Sequence, residues 1–117
     1  MVVQMFKEPL TQANGQTAAD SAVVRVVGDG GVTLLVEGES LDFGGATLAV
    51  ECSVGGGSWQ PMSSADGEEV SLTEQKLFPF DVDLLQLRVA PSSVSGSTNV
   101  PAVYLAGDIA VVRAASA

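Results

Sequence analysis

A chain of 117 residues has room for one domain with a core of its own. With 46% apolar residues it is globular rather than disordered, and with no histidine it lacks the commonest general base and the commonest transition-metal ligand. A net charge of −9 sets it against nucleic-acid phosphates and anionic membranes, so neither is expected as a partner.

One cysteine excludes an intrachain disulfide. No run approaches the ~18 apolar residues of a membrane span. The opening MVVQMFKEPL lacks a basic start followed by an apolar stretch, so synthesis in a cytoplasm without Sec export is expected. Aromatic residues are few, and Ala, Val, Leu and Gly predict a thin core of small side chains.

In chain order, residues 1–20 show no strand period and are expected to form an N-terminal arm. Residues 22–27 (AVVRVV) are a β-branched run, 28–31 (GDGG) have the chemistry of a hairpin turn, and 32–37 (VTLLVE) are the expected return strand. Residues 46–52 alternate: Ala46, Leu48, Val50 and Cys52 share one face, and Thr47, Ala49 and Glu51 the other. Residues 53–58 then turn the chain. Trp59 and Met62 open the next extended piece, where Pro61 implies an edge or a strand start. The best helical window is 63–75, and its glycine, serines and valine argue against a helix. Residues 70–73 alternate again. Residues 77–83 are extended, with Pro79 placing them near an edge. Leu85, Leu87 and Val89 alternate with Gln86 and Arg88. A polar loop over 91–99, a strand over 100–105 and a last strand over 109–113 follow, before the small-residue tail 114–117. Turn signals recurring every ~8–15 residues predict an all-β fold: a single antiparallel β-sandwich or jelly-roll-like domain over 21–113.

Four patterns could carry chemistry. Gly55, Gly56 and Gly57 resemble a phosphate loop only in composition, since no lysine and no helix follow; a turn is the expectation. Cys52 has no histidine to activate it and lies among apolar face-mates, so a buried inert thiol is expected. Asp81 and Asp83, taken with Asp66, Glu68 and Glu69, match no EF-hand spacing. Trp59 and Tyr104 are too few for a sugar platform, and Trp59 is expected in the core or at its rim. No catalytic residue, cofactor or metal ligand is therefore assigned, and an enzyme is not expected.

Two segments carry a resemblance. Residues 43–59 (FGGATLAVECSVGGGSW) and 87–105 (LRVAPSSVSGSTNVPAVYL) are similar to a glycine-rich strand–turn–strand ending in tryptophan and to a later hairpin in small β-rich bacteriophage virion proteins. Gly55 stands where an aspartate is usual, and Pro101 interrupts the second strand of the expected hairpin. The resemblance implies a non-enzymatic virion protein, foremost a capsid decoration or cement protein that binds the outside of the head and stabilises contacts between major capsid subunits. It implies the major capsid protein, or other virion proteins, as partner. It also implies a homo-oligomer, trimers being common in such proteins. The arm 1–20 and the tail 114–117 would then be clamps that order on binding. Alternatives are a head–tail connector or tail accessory protein and, from another class, a carbohydrate- or host-surface-binding β-sandwich module.

Overall fold

A computed structural model of the chain describes residues 1–10, 16–28, 31–37, 47–55, 57–63, 69–72, 77–82, 85–92 and 102–116. Among the described residues ten strands are formed: β1 (Val2–Gln4), β2 (Val23–Val26), β3 (Gly31–Glu37), β4 (Thr47–Ser53), β5 (Gln60–Pro61), β6 (Ser71–Leu72), β7 (Leu77–Asp81), β8 (Gln86–Ser92), β9 (Ala102–Gly107) and β10 (Ile109–Arg113). A single 3₁₀ turn, Ala18–Asp20, precedes β2. Its Asp20 carboxylate accepts a hydrogen bond from the Thr17 amide at 2.9 Å.

The strands make two antiparallel sheets. One runs β1-β9-β3-β7; the other runs β10-β2-β8-β4-β5, with β6 also paired to β4. Period-two burial explains the packing. Val32, Leu34 and Val36 of β3 and Val103 and Leu105 of β9 face inward from the first sheet. Val24 and Val26, Leu48 and Val50, and Leu87 and Val89 face them from the second, in one continuous core. Burying each such side chain stabilises the fold by about 1.5–3 kcal/mol before chain entropy is counted.

The all-β sandwich expected from the turn spacing is what forms. Two expected hairpins are not. Strands β2 and β3 flank residues 28–31 yet lie in opposite sheets, β2 pairing with β10 and β8 and β3 with β7 and β9. Likewise β8 pairs with β2 and β4 while β9 pairs with β1 and β3. The physical reason is common to both: turn-forming residues such as glycine, serine and asparagine specify a bend, and not whether the next strand lies alongside or across the sandwich. Here both flanking strands bury one face against the opposite sheet rather than extending the same one. Among the described strands, β4 and β5 are consecutive strands that do pair, with Glu51 opposite Pro61 and Cys52 opposite Gln60.

The expected N-terminal arm is also corrected over residues 1–10. Strand β1 pairs with β9, Val3 opposite Leu105. Met5, Phe6 and Leu10 are almost wholly buried. The Met5 amide donates to the Val103 carbonyl at 2.8 Å and its carbonyl accepts from the Ala22 amide at 2.8 Å, so this residue ties one sheet to the other. In a core of valines, the bulk of Phe6 and Met5 fills the space that small side chains leave. The C-terminal segment is held too: the Arg113 guanidinium donates to the carbonyls of Ala19 and Ser21, and the Ser116 amide to that of Asp20.

Gly107 makes the corner from β9 into β10. Its φ of +154° disfavours any side chain, and a Cβ there would strike the Gly31 carbonyl oxygen. At the next residue, the Asp108 carboxylate sits where a side chain on Gly28 would be. Any side chain at position 28 would have to displace the Asp108 carboxylate.

Candidate functional site

The β4–β5 turn and the outer face beside it gather the most distinctive side chains among the described residues. Strand β4 lies against β8 in a register that sets Glu51 directly opposite Arg88. Both point away from the core, because Val50 and Val89 point into it. Arg88 Nε donates to Glu51 Oε1 at 2.8 Å, and the two side chains keep only 19% and 24% of their exposure. The turn then returns the chain so that the Trp59 ring covers the guanidinium, with Arg88 Cζ 4.4 Å from the ring centroid. Carboxylate, guanidinium and indole form one stack. Its cation is already neutralised and one face of its aromatic ring is occupied.

At the same end of the sheet, Cys52, Val54, Gly55, Ser58, Gln60 and Leu85 surround an open, largely apolar hollow of about 500 Å³. Cys52 is half-buried rather than buried: it packs against the edge of the core and borders this open hollow. Burial pushes its thiol above the ordinary value, and the adjacent Glu51 carboxylate pushes in the same direction. Both effects disfavour the thiolate, which is the opposite of what a nucleophile needs.

The expectation for Trp59 holds: it is a rim residue, partly exposed. Tyr104 is not brought near it. Tyr104 stands on β9 between buried Val103 and Leu105, and so faces out from the other sheet. Asp81 is exposed at the end of β7, while Glu69 is exposed beside an isolated bridge to Ser63 next to the second sheet. Asp66, Glu68, Asp83 and Gly56 lie outside the described residues. Among the described residues, no three histidine, cysteine or acidic side chains converge on a common point.

The outer faces differ sharply in character. On the four-stranded sheet, Gln4, Tyr104, Leu35 and Leu77 form one cross-strand row, and Val2, Ala106, Thr33 and Pro79 the next. On the other sheet, Arg25 lies between Gln86 and Ala110, next to the row that holds Glu51 and Arg88. Sequence reading missed the Glu51–Arg88–Trp59 stack. Its signal lies in the β4–β8 register, which joins positions 37 residues apart. Comparison with protein-family models, with curated proteins and with solved structures found no match to this chain.

Proposed function

We propose that the chain is a non-enzymatic structural protein of a bacteriophage particle, a decoration protein that binds the outside of the head and stabilises contacts between major capsid subunits. The observation that carries this reading is the segment from Thr47 to Pro61, where a regular strand, a glycine-containing turn and a tryptophan-led return strand stand in the order of the virion motif. Two further features support it. Both sheets present broad outer faces suited to lying on another protein surface. The net charge of −9 complements basic patches on a capsid exterior while disfavouring the packaged nucleic acid. In such a role the individual contact is weak, and its repetition over a symmetric shell supplies the stability.

Subnanometre electron microscopy of the phage particle that carries this chain tests the proposal. Symmetric, stoichiometric density on the outside of the head is expected. Density confined to the portal vertex or the tail would overturn decoration in favour of an accessory protein, and absence from the particle would overturn the virion reading itself.

A further inference from the structure

Each sheet of a sandwich ends in edges whose unpaired amides and carbonyls can capture another strand, and natural sheets blunt those edges with short strands, prolines or charges. Three of the edges here follow that rule. Strand β1 has three residues, β5 has two with Pro61 among them, and β7 carries Pro79 at its centre and Asp81 at its end. Strand β10 does not. It is five residues long, reads Ile-Ala-Val-Val-Arg, and holds neither a proline nor an acidic residue. Among the described elements it is flanked on one side only, by β2. Its register irregularity falls between Val111 and Arg113 and leaves Ile109, Ala110 and Val111 in regular pairing. Arg113, the one charge in the strand, is turned back onto the carbonyls of Ala19 and Ser21.

Of the seven exposed large apolar side chains among the described residues, five lie near this margin, Val54 and Leu77 lying elsewhere. Val111 and Val112 are about half exposed, at 48% and 50%. Val27, also exposed, donates its amide to the Asp108 carbonyl at the mouth of β10. Val2 at the start of β1 and Met1 before it are exposed, and Met1 exchanges hydrogen bonds with Gly107, the residue that leads into β10 through Asp108.

We propose that β10 is a self-association edge, where two copies of this chain pair antiparallel about a two-fold axis near Val111. Charge selects both occupant and direction. The strand is entered through Asp108 and left through Arg113, whose guanidinium keeps its positive charge while bonded to the Ala19 and Ser21 carbonyls, so antiparallel pairing brings the aspartate of each copy toward the arginine of the other, whereas parallel pairing would set like charges side by side. The contact is isologous and closes at two copies, each extending the other's sheet. It buries the valines of β10 in a chain whose overall charge of −9 opposes contact between most other surfaces of two copies. This inference does not rest on the virion reading, because it concerns the isolated chain.

Sedimentation equilibrium of the purified full-length chain over about 1–100 µM tests it. The expected mass is twice 11.9 kDa, and Val112→Lys is expected to weaken association about tenfold or more, with unchanged far-UV circular dichroism. Should Val112→Lys unfold the chain, a cysteine pair of variants decides the matter. Val111→Cys in a Cys52→Ala background is expected to form an intermolecular disulfide under mild oxidation, while Ala49→Cys, out on the sheet face, is not. A monomer throughout the range, an assembly that folded Val112→Lys leaves intact, or failure of Val111→Cys to cross-link in preference to Ala49→Cys would each overturn the proposal.

Discussion

The two outer faces of this sandwich are built on the same inward pattern and end up chemically unlike. The six-stranded face carries Arg25, the Glu51–Arg88 ion pair and Trp59 laid over it. The four-stranded face sets Tyr104, Leu35 and Leu77 in a row, and among its described side chains the single charge is Asp81 at the margin. Inward residues answer to a shared core and leave little choice, whereas outward residues answer only to what each face meets. In one molecule the first face is armoured for water by paired charge, while the second carries apolar groups that range from half-buried Leu35 to exposed Val2 and Leu77. The difference therefore reports on surroundings rather than on folding.

Substitutions at graded distance from that shared core should break or sharpen the contrast. Phe6→Ala removes the largest wholly buried side chain and should cost about 3–5 kcal/mol, read as a lowered denaturant midpoint. Both faces should be lost in one transition, since Phe6 belongs to the core they share. Gly107→Ala strains the corner between the sheets and collides with the Gly31 carbonyl, for a cost of about 3 kcal/mol in the same measurement. Ser21→Ala acts on the six-stranded side alone. The buried Ser21 hydroxyl accepts from the Val89 amide at 3.0 Å and donates to the Ala22 carbonyl at 2.8 Å, so its removal should cost about 1–3 kcal/mol and speed exchange of the Val89 amide. Arg88→Ala is the mildest. It should cost about 1 kcal/mol or less, yet shift the fluorescence of Trp59, the chain's one tryptophan, as the ring loses its cover. A change in Trp59 emission on Leu77→Ser, made on the far face, would show that the two surfaces are not independent.

Much of the strand pattern is legible in the sequence because alternation over 46–52 and 85–89 directly encodes which side chains meet the core. The burial of Leu48, Val50, Leu87 and Val89 follows from spacing alone. Connectivity is not encoded in that way. The run GDGG reads as a hairpin turn, yet β2 and β3 lie in opposite sheets, because a local signal specifies a bend and not the partner beyond it. The first ten residues mislead for a related reason. Met5, Phe6 and Leu10 follow no strand period, and their burial depends on a gap between sheets that exists only once the sheets have formed. The Glu51–Arg88–Trp59 stack was hidden similarly, since nothing along the chain announces that β4 will choose β8. The half-exposure of Cys52 is hidden too, since alternation places it with Leu48 and Val50 and says nothing of the hollow that opens beside it.

The topology also sets the order of events during synthesis. Strand β1 finds its partner in β9, about a hundred positions later, and β2 is paired on one side by β10 at the opposite end of the chain. The four-stranded sheet cannot be completed on a ribosome before Gly107 has emerged, nor the six-stranded sheet before Arg113. Local contacts cannot nucleate such a structure, so its folding belongs with the slow, non-local class, in milliseconds to seconds rather than microseconds. A nascent chain stopped before Ala102 would leave β2 paired on one side only, by β8, and β3 on one side only, by β7, with the edges that β10 and β9 cover left open. Premature truncation should therefore yield aggregation rather than a smaller stable domain.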